Sequence, residues 1–284
     1  MAVSRRFSTP RPRHIATAGA ALAALLLSPG LAAAQTAPDQ TGQALAKDLA
    51  NPIAAQVSLF FGNDYDWGLG LAHRGSQYTL TVQPLIPFRL NADWNLITRT
   101  TLPFVSQSKT FLGQGRESGL GDVDESLFLS PNATFKGWTL GAGPIVLLPT
   151  AADDLGGKKW DLGPTAAAIN QTGPWTVGIL VDHLWSVAGD RGADAVSATY
   201  VQPIVSYTAK TATTLTVDAE TTYDWTHRAW TVPVNVTLAQ LFDAKPHGLP
   251  VPIQIEAGYR FYPTAPGKRP DGGLRLNLTV LIPR

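Results

Sequence analysis

The chain has 284 residues, no cysteine and only 15% charged residues, set against 26 glycines, 22 prolines and 8 tryptophans. Without cysteine there is no disulfide framework, thiolate metal site or cysteine nucleophile. Once an N-terminal stretch with four arginines and no acids is set aside, 18 basic face 21 acidic residues, a formal charge of −3 that argues against nucleic acid as a partner.

That stretch reads as a cleaved secretory signal peptide over residues 1–34. Arg5, Arg6, Arg11 and Arg13 precede an apolar run from Ile15 to Leu27, and Ala32-Ala33-Ala34 supplies small residues for the cut. The run is too short to span a bilayer, and no later run of eighteen apolar residues exists, which excludes a helical membrane protein. Residues 35–52 form a periplasmic lead-in. Within them Gln43–Ala50 suits a short helix that Asn51-Pro52 stops. A small plug inside a barrel and a frayed terminus both remain open for this segment.

From residue 53 to 284 the chain alternates strands with turn signals. Strands are expected near 53–63, 76–87, 94–106, 121–131, 138–149, 160–172, 175–187, 195–208, 214–225, 229–241, 251–263 and 272–283. The fold class is therefore all-β: a closed antiparallel transmembrane β-barrel of about twelve strands, the even count that places both termini on one side. Connections 64–75, 107–120, 150–159, 188–194 and 264–271 are mostly long and polar and belong outside the cell. Those at 88–93, 132–137, 173–174 and 209–213 are short and belong in the periplasm, while 226–228 and 242–250 break the rule. Bulges are expected at Pro84, Pro144 and Pro203, since each removes a ladder hydrogen bond.

The clearest stave is Trp175–Val187. Its odd positions are Trp175, Val177, Ile179, Val181, His183, Trp185 and Val187, and its even ones include Thr176, Asp182 and Ser186. At about 2.5 Å of height per tilted residue, Trp175 and Trp185 stand ~25 Å apart, the height of an outer-membrane apolar band. Trp225 and Trp230 end two further strands. These four are the expected membrane-interface aromatics, and outer-membrane lipid is the expected partner.

The opposite faces carry charge. Arg99, Asp182, Asp218, Glu220, Glu256, Arg260 and Arg275 fall on the lumen side as candidate lumen-lining residues. Arg260 and Arg275 lie on neighbouring strands with Glu256 and are expected to pair with it. Asp218 and Glu220 have no obvious cation nearby, which points to a cation-tolerant or polar opening. A satisfied ion-pair network filling a narrow barrel is the competing reading.

Catalytic, cofactor and metal signatures are missing. His73, His183, His227 and His247 are scattered, with no His-Glu-x-x-His pair and no Gly-x-Ser-x-Gly elbow. His183 fits an interfacial ring beside a tryptophan. Gly113-Gln-Gly115 and Gly119-Leu-Gly121 lack the strand–helix setting of a dinucleotide site. Asp122-Val-Asp124-Glu125 and Asp153-Asp154 lack the spacing of a calcium loop. The expectation is that the chain is not an enzyme and uses no cofactor.

Several blocks, taken in order, resemble the outer-membrane β-barrel family labelled "MetA-pathway of phenol degradation". They include Ala46-Lys47-Asp48-Leu49-Ala50-Asn51-Pro52, Val82-Gln83-Pro84-Leu85-Ile86-Pro87, Asp93-Trp94-Asn95-Leu96, Gly119-Leu120-Gly121-Asp122, Leu148-Pro149-Thr150, Lys159-Trp160-Asp161-Leu162-Gly163-Pro164-Thr165 and Trp230-Thr231-Val232-Pro233. The resemblance implies an outer-membrane transporter or channel for small molecules, aromatic or hydrophobic ones among them, and brings no catalytic motif. The ending Leu281-Ile282-Pro283-Arg284 departs from the aromatic terminus common among such barrels. A plugged structural or adhesive barrel acting through loops 107–120 and 150–159 is the alternative. Solute identity and oligomeric state are not legible.

Overall fold

The computed structural model describes residues 42–282, save 71, 111–114, 153–154, 244–250 and 268. The expected signal peptide, His247 and Asp153-Asp154 lie outside the described residues. Helix α1 (Gly42–Leu49) precedes β1 (Val57–Leu69), β2 (Gly75–Arg89), β3 (Trp94–Ser108), β4 (Arg116–Leu120), β5 (Val123–Pro131), β6 (Trp138–Leu148) and β7 (Lys159–Thr172). Then come β8 (Trp175–Gly189), β9 (Ser197–Thr208), β10 (Thr213–Ala219), β11 (Thr221–Asp224), β12 (Ala229–Phe242), β13 (Ile253–Thr264) and β14 (Gly272–Ile282). Among the described residues no helix is long and apolar enough to cross a membrane.

All pairings are antiparallel, and β1 closes the sheet on β14 from Val57↔Ile282 to Trp67↔Gly272. Two staves are each made of two segments, β4 with β5 and β10 with β11, so the result is a closed twelve-strand barrel. Each break faces a proline. Gly121 N–H donates to Pro103 O at 2.7 Å and Glu220 N–H to Pro233 O at 2.9 Å, and neither proline has an N–H to return the bond. Pro84, Pro144 and Pro203 behave otherwise than expected: they stay in register with Leu59, Pro164 and Ile179. A missing N–H costs one bond but inserts no residue, so the register holds. The register shifts fall instead beside Trp67, Trp160 and Val232.

The alternation is inverted relative to a soluble domain, with apolar residues outside and polar ones inside. On β8, Trp175 and Trp185 are half exposed on the outer wall, whereas Thr176, Leu180 and Asp182 are buried inside. Trp175 shares its rim with Trp94 and Trp138 and meets Tyr207 edge-on at 5.0 Å. Near the other rim, Trp160, Trp225 and Trp230 are exposed like Trp185. Two belts of indoles flanking an apolar wall are what a bilayer selects, because the amphipathic ring is most stable at headgroup level.

The first strand is longer and later than expected. Its extension to Leu69 shortens the supposed 64–75 loop to residues 70–74. Residues 53–56 precede the sheet and help to close the barrel floor. Ile53 is 1% exposed and packs with Leu85, Ile97, Phe128, Ile169 and Leu180 from five inward-facing strands. Helix α1 places Ala46 against Ala212, Leu241 and Leu281, with Leu45 and Leu49 alongside. Polar bonds pin it: Gln43 Nε2 donates to Thr208 O (2.9 Å), Lys47 Nζ to Gly173 O (2.6 Å) and Gln171 Nε2 to Lys47 O (2.6 Å). Gly173 supplies its carbonyl from a two-residue turn at φ 53°, a left-handed conformation that glycine adopts without a Cβ clash. Lys47 also sits in the last turn of α1, where a cation complements the helix dipole.

Candidate functional site

Above this floor lies a lumen cavity of about 580 Å³. Asp48, Asn51 and Pro52 line its base, and its walls come from strands around the barrel, including Phe60, Arg99, Leu184 and Asn277. The side chains there are inward because each occupies the lumen-facing phase of its stave's alternation.

Of the seven candidate lumen residues, Arg99, Asp182, Asp218, Glu220, Glu256 and Arg275 line the cavity. Arg260 instead lies packed within a charged cluster, its side chain 9% exposed. Ladder register builds that cluster rung by rung. Asp218 faces Asn235 across β10–β12, Asn235 faces Arg260 across β12–β13, and Asp64 faces Arg275 across β1–β14. Asn235 Nδ2 donates to Asp218 Oδ2 at 3.0 Å, and Arg260 Nε donates to Asn235 Oδ1 at 2.9 Å. Gln202 Nε2 adds a second donor to Asp218 at 3.2 Å.

The two guanidinium groups then meet shared carboxylates. Arg275 holds Asp64 through two bonds (2.8 and 3.1 Å) and Glu220 through a third (2.9 Å). Arg260 reaches Glu220 at 2.9 Å, Asp64 at 3.0 Å and Asp66 at 3.4 Å. Its route to Asp66 crosses β14 at Gly273, the ladder partner of both Asp66 and Arg260. A Cβ at Gly273 would collide with the Asp66 carboxylate and stand 3.3 Å from Arg260 Cβ. Glycine keeps the crossing open.

Three expectations change. Arg260 and Arg275 pair with Asp64, Asp66 and Glu220, not with Glu256, because the register sets Glu256 against Asn277, whose amide it accepts. Glu220 is not without a cation, since it bridges both arginines. Asp64 and Asp66 belong to the site, although their Gly62-Asn63-Asp64 setting reads as a turn. The signal for them was Tyr65 and Trp67 continuing the outward phase of β1.

Arg99 lies apart from that cluster, its guanidinium 5.8 Å from the centroid of the Phe128 ring. Asp182 faces Thr165 and Tyr200 on the flanking strands, and its Oδ1 accepts no hydrogen bond. Asp122, weighed above as a loop acid, accepts the backbone N–H groups of Ala151 (3.1 Å) and Gly157 (2.7 Å) and so folds the loop between β6 and β7.

The histidines stand apart from one another. His183 bonds Thr199 at 2.7 Å and packs on Trp185 at 4.0 Å on the outer wall, while His73 meets Asp271 at 3.0 Å. His227, in the connection after β11, contacts Asp224 at 2.7 Å, and that hydrogen bond raises its pKa above the ordinary 6.5. No group of three or more metal-ligating side chains occurs among the described residues.

No protein-family model matches the sequence, nor does any curated protein. Among solved structures, the COG4313 outer membrane channel from Pseudomonas putida F1 is similar at 18% identity, covering 80% of this chain and 96% of that one with a TM-score of 0.63. The NanC porin aligns at 12% identity over 80% of this chain and 100% of its own, with a TM-score of 0.47. Outer membrane phospholipase A from Escherichia coli aligns at 12% identity, covering 85% and 98% of the two chains, with a TM-score of 0.45. That match is named for an enzyme, and the expectation that the chain is not an enzyme is withdrawn. The likeness to the Pseudomonas channel fixes the architecture, a closed twelve-strand barrel of the outer-membrane type.

Proposed function

We propose that the protein is an outer-membrane channel for passive passage of small molecules, exported by its N-terminal signal and related to the family of the "MetA-pathway of phenol degradation". The observation that carries this reading is the cavity of about 580 Å³, walled by inward polar side chains inside a closed sheet with an apolar, indole-belted exterior. A polar interior on such a wall gives solutes a hydrated path and lets lining charges set selectivity. The COG4313 channel likeness and the sequence resemblance support the same reading, the latter adding aromatic or hydrophobic solutes.

Planar bilayers containing the refolded mature chain test the proposal. Discrete conductance steps, together with solute-driven swelling of proteoliposomes, are expected. Protein that is folded by heat-modifiable gel mobility yet yields neither conductance nor swelling refutes it.

A second reading has one observation in its favour: α1 and residues 50–54 close the end that carries the termini. In that case the barrel is a plugged platform and function lies in the expected loops 107–120 and 150–159, the first of which narrows to the connection 109–115 because Arg116–Leu120 is strand β4. Removing those loops would then abolish a binding phenotype and leave permeability unchanged.

A further inference from the structure

We infer that the lumen cavity is a binding site for amphipathic organic cations, protonated amines on a small apolar body, with Asp182 as the ammonium acceptor. The inference rests on the channel reading and names its solute class.

Charge balance comes first. Among the described residues lining the cavity, Arg275 is neutralised by its bonds to Asp64 and Glu220. Arg99 then remains as the other lining guanidinium, acting on Asp124 and Asp182, while Asp218 and Glu256 line the same cavity. Asp218 and Glu256 take hydrogen bonds from the neutral amides of Asn235, Gln202 and Asn277, and the cation acting on both is Arg275, already bonded to Asp64 and Glu220. An excess of carboxylates enclosed by a closed wall concentrates cations and repels anions.

The second observation is independent of that count. Asp182 is 6% exposed and lines the cavity, yet its Oδ1 has no hydrogen-bond partner. Its ladder partner Thr165 brings a hydroxyl beside it but no charge. Arg99 acts on Asp182 through space but is shared with Asp124, and no cation hydrogen-bonds the buried Oδ1, so a charged donor entering the cavity would satisfy it.

The lining around Asp182 sets the rest of the ligand. Tyr200 is its partner on β9, Leu184 follows it on the same inward face, Ile145 and Leu147 add apolar lining from β6, and Phe60 lines the opposite wall from β1. A hydrated inorganic cation gains nothing from such a surface. An ammonium on an aromatic or aliphatic body gains both the carboxylate contact and apolar burial.

The test uses detergent-refolded mature protein and three probes of similar size: benzylammonium, benzyl alcohol and benzoate. Titration calorimetry should show benzylammonium binding at least about tenfold more tightly than either of the others. Asp182→Asn should weaken it by about tenfold, the scale of one charged contact, and Leu184→Lys, which keeps the acceptor but installs a cation beside it, should abolish binding. Wild-type binding of benzoate or benzyl alcohol as tight as that of benzylammonium, no binding of benzylammonium, or unchanged affinity in both variants overturns the inference. Bilayer recording separates the two claims. Conductance that is unselective or anion-selective overturns the cation site and leaves the channel standing, whereas silent bilayers refute the channel while calorimetry still decides the site.

Discussion

Replacing Ile53 by alanine should loosen the floor of the barrel without loosening its wall. Ile53 is 1% exposed and wedged among Leu85, Ile97, Phe128, Ile169 and Leu180, with its Cδ1 3.1 Å from where a Cβ on Gly141 would stand. Truncating a side chain packed this closely costs about 2–5 kcal/mol. The remaining attachments include three side-chain bonds to backbone, from Gln43, Lys47 and Gln171, each with a net value of about 1 kcal/mol, together with the small apolar face around Ala46. Ordering the segment costs roughly 1–2 kcal/mol per residue, so the docked state has little reserve. A loss of 2 kcal/mol shifts docked against released by about 30-fold. Ile53 precedes β1 and takes no part in the ladder, so strand stability should change little. Hydrogen exchange read by mass spectrometry on the refolded protein should show residues 42–54 exchanging about 30-fold faster while β1–β14 keep their protection. Open-channel occupancy in bilayers should rise in parallel. If 42–54 exchange unchanged while the whole barrel unfolds at lower denaturant, the segment is part of one cooperative core and the reasoning fails.

Three further outcomes follow from the charged cluster and the loops. Arg275→Met leaves Asp64 and Glu220 sharing Arg260 alone and should lower stability by about 3 kcal/mol, near the low end for a broken buried pair because the Glu220 side chain is 25% exposed. Urea unfolding in lipid vesicles, followed by tryptophan fluorescence, reads this, and a change below about 1 kcal/mol contradicts the assignment. Gly273→Leu should be at least as damaging, since its side chain fills the crossing between Arg260 and Asp66, and the same titration compares the two variants directly. His227 should titrate above 6.5 by NMR and return toward it in Asp224→Asn. Because the folded value is raised, its contact with Asp224 contributes fully below 6.5 and is lost as pH rises through the folded value. An unchanged titration in the variant would show that Asp224 is not the cause.

Much of the wall was legible because a barrel writes its two faces at the shortest possible period. The outward Trp175, Val177 and Ile179 and the inward Thr176, Leu180 and Asp182 separate on alternation alone, and strand positions from β2 to β14 follow within a few residues except β4, which lies in the expected loop 107–120. The first strand was misplaced for a physical reason. Glycine, asparagine and aspartate between Gly62 and Asp66 have high turn propensity, but on a lumen-facing phase polar residues are what the environment requires. That error hid Asp64 and Asp66 in a supposed loop. The pairing of charges was less legible still. Contacts between facing residues on adjacent strands, such as Asn235 with Arg260, depend on register, whereas Glu220 reaches Arg275 over intervening strands. That second kind depends on barrel curvature, which no local pattern encodes.

The two closures of the lumen rest on different forces. At the end carrying the termini, Ile53 and Ala46 hold the floor by apolar packing, which is short-ranged and fails when a few methyl groups are removed. Toward the opposite end, Arg260 and Arg275 tie β1, β13 and β14 to the β10–β11 break through shared carboxylates, an arrangement sensitive to charge. Packing lesions should therefore alter how often the lumen opens, and charge lesions should alter what it admits and how firmly the wall holds. Asp182 has no ion pair with the arginine cluster, and its ladder partner Tyr200 packs against the floor cluster. A change there that moved opening probability without moving selectivity would mean that floor and cavity are coupled. Independent effects would make the cavity a site in its own right.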